Sequence, residues 1–394
     1  MRRKTADDLG LDYVQRARDF APELTAASSE IERQRELPEP IVAAMVDRGL
    51  FRMLLPHSLG GAELLPAAYF PVIEEIAKAD ASAAWCLNQA AGCSMTAAYL
   101  EPEAAKEIFG GPRGILAWGP GPGKARKVNG GYQVSATWSF ASGSHNATWL
   151  GCHVPIFDES GAPLFHADGN PVIRTVLFPK SKAEMTDIWH VMGLRGTGSD
   201  KYSVSELFVP ERHVVARDGD SKRREQGLLY RFSSLQLYAS GFAGVAMGIA
   251  RSALDAFIEL ACDKVPFRGK RALRDNNVVQ SQVAQAEARL RAARAYLLGS
   301  LEEITEEVER SGRITLEQRM TIRLASTFAI HQSMSAVDTA YHAAGSTAIF
   351  EENPFERRFR DIHTVSQQLQ GRQEHFETVG QYLLGLEPAS LAWL

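Results

Sequence analysis

Apolar residues in the first third of the chain recur at helical spacing, and the pattern then changes twice. From residue 12 to about 110 the segments read as helix. "SSEIERQRELPEPIVAAMVDRGL" sets Ser29 and Glu32 at capping-box spacing, which predicts a helix start there. "SAAWCLNQAAGCSMTAAYL" is apolar nearly all round, as expected of a buried helix. "HSLGGAEL", with Gly60-Gly61, predicts a loop. Near Gly110 "FGGPRG" breaks the helical pattern and alternation begins. In "GYQVSATWSF", Tyr132, Val134, Ala136, Trp138 and Phe140 fall on one face of a predicted strand. "TWLGCHVPIF", "PVIRTVLFP" and "KYSVSELFVP" predict more strands, divided by Gly, Pro and Asp turns. After the charged stretch "RDGDSKRREQG", read as a mobile loop, helical spacing returns over about 227–263, 276–311, 315–344 and 364–386. Four long helices joined by short loops predict an antiparallel bundle. The fold class is therefore α+β and mainly α, with an N-terminal helical domain (1–112), a β domain (113–215) and a C-terminal four-helix bundle (216–394).

Composition narrows the function classes. The 394 residues are 45% hydrophobic and 23% charged, ordinary for a globular chain of two or three domains. A net charge of −4 argues against a nucleic-acid partner. The basic clusters Lys222-Arg223-Arg224 and 268–274 lack interleaved aromatics, so they read as solvated loops or phosphate contacts. Phe232 to Ala250 carries no charge and is long enough for a bilayer. Its Ser233, Ser234, Gln236, Tyr238 and Ser240, and its Ala and Gly content, favour the centre of a bundle instead, so no membrane partner is expected. Cys86, Cys93, Cys152 and Cys262 form no CxxC pair, and "MRRKTADDLG" has no apolar run. Both suit a cytoplasmic protein.

The common catalytic motifs fail on context. "GPGPGKA" leads into a turn and a strand, and "GLRGTGSD" sits between strands, so neither is a dinucleotide fingerprint. There is no HExxH, Walker A or GxSxG. His153 and His166 lack ligand spacing, read as core or loop histidines, and no metal is expected.

Element order and three motifs resemble the acyl-CoA dehydrogenase fold over nearly the whole chain. They are "GGYQVSATWSFASGSHNATW", "GLRGTGSDKYSVSELFVPERHV" and "GIARSALDAFIELACDKVPF". The dehydrogenases need a carboxylate to take an α-proton while the flavin takes the hydride. The resemblance puts that base a few residues after an "RD" pair. Counted from Arg360-Asp361, the position is Leu369, which cannot accept a proton. Some members carry the base on the first bundle helix. Gly227 to Leu254 holds no acid, and Tyr238 falls about where it would stand.

"WSFASGSHNATW" and "AGSTAIFEENPFERRFRDIHTVSQ" resemble another branch of the fold, the oxygenase components of two-component flavin monooxygenases. That branch oxidises 4-hydroxyphenylacetate, steroid-derived phenols, indole-acetate and dibenzothiophene. The resemblance implies reduced FMN or FAD from a separate flavin reductase, O2, a C4a-hydroperoxyflavin, a small aromatic substrate and a homotetramer. It matches Ser142 to the hydroxyl near the flavin N5 and Phe140 to the aromatic beside the ring. It matches His363 to a histidine that bonds the peroxide or takes a phenolic proton. Trp118, Gly119 and Gly121 match a flavin-side loop, and Arg195 and Ser199 a second one. Trp85, Asn88 and Tyr238 are candidates for the substrate cavity. In the "R..F" motif of the dehydrogenases Phe267 is kept, but Lys264 replaces the arginine that reaches the pyrophosphate, so FMN and FAD both stay open. For each position an ordinary structural role is the alternative: a turn serine, a glycine turn, a core tryptophan, a surface histidine. The rival functions are N- or S-oxygenation, a dehydrogenase with a displaced base, and a non-enzymatic flavin-fold protein.

Overall fold

The computed structural model describes residues 6–217, 222–392 and 394. Residues 218–221 of the charged stretch lie outside the described residues. Helix α1 (Ala6–Gln34) buries Val14, Ala17, Phe20, Leu24 and Ile31, a stripe at helical spacing that packs on α3 (Pro66–Ala79). That stripe runs past Ser29 on both sides, so no helix begins there and the capping-box expectation is wrong. Tertiary burial outweighs the local cap signal. The break comes later, where Arg35 takes a left-handed φ of 61° and Pro38 precedes α2 (Glu39–Asp47).

Helix α4 (Ala81–Ser94) starts at Asp80, whose carboxylate accepts from the Ala83 N–H at 2.8 Å. It is buried nearly all round, as its sequence predicts. Helix α5 (Pro102–Phe109) ends the first helical region. The strands are β1 (Leu116–Ala117), β2 (Gly123–Val128), β3 (Gly131–Trp138), β4 (Trp149–Phe157), β5 (Ile173–Pro179), β6 (Glu184–Thr186), β7 (Lys201–Pro210) and β8 (Val214–Val215). They form one sheet in the order β6-β7-β3-β2-β4-β5-β8, with β1 parallel to β4. The short strands β1, β2, β6 and β8 escape a search for alternation because each offers too few residues or too much exposure.

Helices α6 (Ser234–Asp263), α7 (Asn277–Ser311) and α8 (Leu316–Ala344) follow. The charge-free half of α6 is buried, and the helix as a whole touches α3, α4, α7, α8 and α9. Among the described residues no helix is long and apolar enough to cross a membrane. A Cβ on Gly241 would stand 1.8 Å from Asn88 Oδ1, so α4 and α6 approach only because that side chain is missing.

The expected fourth helix, 364–386, is not continuous. Helix α9 (Phe355–Gln367) ends before a 3-10 turn, Leu369–Gly371, and α10 (Glu374–Leu383) comes after it. The turn is held from outside. Arg323 of α8 bonds the Gln370 side chain, His331 approaches the Gly371 carbonyl at 2.9 Å, and His375 meets the Leu369 carbonyl at 2.7 Å.

Two alanine substitutions should move stability in opposite directions. Gly241→Ala overpacks the α4–α6 contact and should cost about 1–3 kcal/mol. Gly299→Ala lies in α7 with nothing within 4 Å of the added Cβ and should stabilise by about 0.5–1 kcal/mol. Equal thermal midpoints for the two variants would refute the close packing.

Candidate active site

The site begins where β3 ends. After Trp138 the chain leaves the strand, and Phe140 takes a φ of 58°. Its ring is 62% exposed and meets Trp189 edge-on at 6.0 Å. The expectation that Phe140 shares one strand face with Tyr132, Val134, Ala136 and Trp138 is therefore wrong, because the strand ends at Trp138 and the left-handed residue turns the ring outward. A strained aromatic held in the open is the kind of feature that binding sites retain.

The turn that follows places Ser142 inside the protein. Its Oγ lies 3.0 Å from Trp85 Nε1 and 2.7 Å from Ser199 Oγ. Ser199 Oγ lies 2.7 Å from Thr197 Oγ1, which donates to the Leu194 carbonyl at 2.9 Å. Counting protons fixes the direction. Thr197 has spent its hydroxyl proton on a carbonyl, so Ser199 donates to Thr197 and Ser142 donates to Ser199. The indole N–H fills one lone pair of Ser142. One lone pair is left, and it can only accept.

Two loops close around this chain. A Cβ on Gly119 would stand 1.9 Å from the Ser139 carbonyl and one on Gly121 2.2 Å from that of Thr137, so both glycines are required by close approach. The loop 188–200 is clamped by buried Asp200, which accepts from the Ile188 and Trp189 N–H groups and pairs with His145 at 2.7 Å. Arg195 donates to the Val191 carbonyl at 2.9 Å and lies 3.5 Å from Glu32.

Helix α9 is tied to the same loop. Asp361 Oδ1 accepts from the Leu194 N–H at 2.6 Å. Burial pushes its pKa up to about 7, with the Leu194 N–H opposing and nearby Asp80 and Glu32 adding to the rise. His363, two residues on, faces α8. Its Nε2 lies 2.9 Å from Asp338 Oδ1, and its ring packs on Phe359 at 4.3 Å. Among the described residues no hydrogen bond or ring contact joins His363 to the Ser142 chain.

The other predicted positions are dispersed. Tyr238 packs into Gly92 between α4 and α6, with its hydroxyl 3.3 Å from Cys93 Sγ and from Gln89 Nε2. Asn88 accepts from the Tyr69 hydroxyl at 2.8 Å, and its buried Nδ2 has no partner among the described residues. The Lys264 ammonium bonds the Ala344 carbonyl and Thr347 Oγ1 at the end of α8, and Phe267 is 92% exposed. A cavity of about 390 Å³ opens beside Trp118, and neither Trp85, Asn88 nor Tyr238 lines it. His153 and Arg217 do, although the sequence suggests only a core or loop histidine and an arginine of a charged loop. Trp118 contacts each of them, with its ring 4.9 Å from His153 and 5.5 Å from Arg217.

Family models describe the two helical regions. The acyl-CoA dehydrogenase N-terminal domain matches residues 11–109 and the C-terminal domain matches 240–371. The chain is 28% identical over 399 residues to the FADH(2)-dependent resorcinol hydroxylase, oxygenase component, of Rhizobium sp., spanning 95% of this chain and 94% of that protein. It is 32% identical over 368 residues to the indole-3-acetate monooxygenase of Pseudomonas putida, spanning 92% and 91%. The chain belongs to the flavin-dependent monooxygenases of the acyl-CoA dehydrogenase fold. The monooxygenase also shares its fold with the crystal structure of 3-HSA hydroxylase from Rhodococcus sp. RHA1, at a TM-score of 0.89 and 23% identity over 97% of this chain and 99% of that one.

The raised pKa of Asp361 gives a pH test. Folding keeps its proton, while the unfolded chain releases it above the ordinary carboxylate range. Its contribution to stability is therefore full below about pH 4 and is lost as pH rises toward about 7. Asp361→Asn keeps an acceptor for the Leu194 N–H and abolishes this loss. The midpoint of the variant minus that of the wild type should rise between pH 4 and pH 7. A flat difference would show that the carboxyl is ionised in the fold.

Proposed function

We propose that the monooxygenase is the oxygenase component of a two-component system. It takes reduced FMN or FAD from a separate flavin reductase and uses O2 to hydroxylate a small aromatic substrate. The names of its relatives, an indole-3-acetate monooxygenase and a resorcinol hydroxylase, support that substrate class. The proposal includes a homotetramer, a cytoplasmic setting, and domains at 1–112, 113–215 and 216–394. Family matches that end at 109 and resume at 240 support the division.

The observation that carries the reading is the oriented hydroxyl chain. Ser142 has one open lone pair and no proton to give, which suits an N–H of the reduced ring. Phe140, exposed at the same turn, suits the face of a planar ring system, and Trp118, Gly119 and Gly121 supply close backbone approach. Arg195 and Ser199 steady the second loop. Lys264 and Phe267 stay as candidates for the phosphate side. Bound there, reduced flavin supplies the electrons that activate O2.

The chain's own groups then have two tasks. Ser142 holds an N–H proton in place, and the donors behind it keep its hydroxyl from turning. Trp85, its ring tilted against that of Phe242 with centroids 4.0 Å apart, closes that wall against water. His363, oriented by Asp338, holds the reacting ring or accepts a phenolic proton. Leu369 and Tyr238, which match the two known places for the dehydrogenase base, supply no carboxylate, so dehydrogenation lacks its proton acceptor.

Ser142→Ala should raise the hydrogen peroxide released per O2 consumed and lower product yield. An unchanged ratio removes Ser142 from the site. His363→Ala should slow product formation by about 100-fold or more if the imidazole transfers a proton. Wild-type coupling and rate in that variant would reduce His363 to a structural partner of Asp338.

A further inference from the structure

The cavity beside Trp118 joins apolar and aromatic side chains (Met95, Tyr99, Phe232) to polar ones (His153, Arg217, Ser234). Two of its lining residues are arginines, and none of the described residues lining it is a carboxylate. Arg217 is partly buried. It donates to Ser234 Oγ at 2.7 Å, and its guanidinium lies over the rings of Trp118 at 5.5 Å and Tyr99 at 6.0 Å. No carboxylate pairs with it among the described residues. Taking a guanidinium out of water with no counter-ion is costly, so a fold that keeps one at a cavity wall invites an anion there.

His153 does not duplicate this charge. Its Nδ1 lies 2.8 Å from Thr175 Oγ1, and burial together with the charge of Arg217 pushes its pKa down to about 3. It is a neutral hydrogen-bonding group near neutral pH. Arg217 is left as the cation, close to the rings of both Trp118 and Tyr99, and its planar fork can offer two parallel bonds.

We infer that this cavity binds the carboxylate of the substrate, and that the substrate class is an aryl carboxylic acid. The inference rests on the oxygenase reading above. At about 390 Å³ the space is at the small end of ligand sites, and it suits an aromatic system of one or two rings. Trp118 links it to the flavin-side loop, because its ring packs on the lining residues His153 and Arg217 while the next residue, Gly119, packs on the segment leading to Ser142.

Calorimetric titration of the flavin-free protein tests the site. The probes are phenylacetate, 1-naphthylacetate, their amides, and phenyl phosphate. At least one acid should bind about 10- to 100-fold more tightly than its amide. Arg217→Gln should remove most of that preference, and Arg217→Lys should keep part of it. Equal binding of acid and amide, no binding of either, or an unchanged preference in Arg217→Gln overturns the inference. Tighter binding of phenyl phosphate than of both acids overturns the carboxylate assignment. If Arg217→Gln does not fold, the wild-type preference and its reduction in Arg217→Lys decide. A separate assay follows O2 consumption and product mass with reduced FMN and FAD. Acid preference without oxygenation sinks the oxygenase reading and leaves the anion site standing. Oxygenation without acid preference does the reverse.

Discussion

Leu194 is held in a left-handed conformation, with φ 52°, and both of its peptide groups are occupied. For a branched residue that conformation costs roughly 1–2 kcal/mol. Four hydrogen bonds offset it, one of them from the Thr197 N–H to the Leu194 carbonyl at 3.2 Å. The Leu194 carbonyl accepts from Trp189 Nε1 at 3.0 Å and from Thr197 Oγ1, and its N–H is bound by Asp361. The carbonyl is the end of the hydroxyl chain, so its position sets the direction of every donor back to Ser142. The N–H is the point at which α9 grips the loop. One strained residue therefore ties the helix of His363 to the turn of Ser142, although their side chains do not meet.

How much of this was legible depends on where the information lies. The helical and β regions are written in local spacing, and α4 and α6 read as buried because their apolar residues go all the way round. Arg35 and the turn at Leu369–Gly371 were not legible. Both interrupt segments that look helical, and what holds the turn is contact with Arg323, His331 and His375 from other elements. Phe140 shows the same limit in reverse. Alternation carried the strand two residues too far, because nothing local announces a left-handed residue that is not glycine.

The site divides along the same line. Ser142 could be found because "WSFASGS" is a continuous motif, and Ser199 because "GLRGTGSD" is another. The roles of Thr197 and Trp85 could not be, since a hydroxyl chain becomes directional only when all its members are placed together. His153 and Arg217 looked like a core histidine and a loop arginine. They meet at Trp118 only because β4 and the segment after β8 reach the same wall, and no spacing in the chain encodes that.

Proton supply explains why these pieces belong to one catalyst. The Ser142 chain has donated every hydroxyl proton it owns. Burial raises the pKa of Tyr238 and lowers that of His153, so both are neutral and neither exchanges protons near neutral pH. Asp361, whose pKa burial raises to about 7, bonds the Leu194 N–H and makes no bond to the hydroxyls of the chain. Leu369, which the sequence resemblance matches to the dehydrogenase base, has no group that accepts a proton. Among the described residues no titratable side chain hydrogen-bonds the Ser142 chain itself, which suits the proposed task of keeping one proton on a ring nitrogen while O2 reacts. The reaction still needs an acid or base for the substrate, and the remaining candidate is an imidazole that approaches from another helix. Asp338 on α8 fixes His363 without joining it to the hydroxyl chain, so in the proposed assignment a proton is handled on the substrate side while the one at Ser142 stays put.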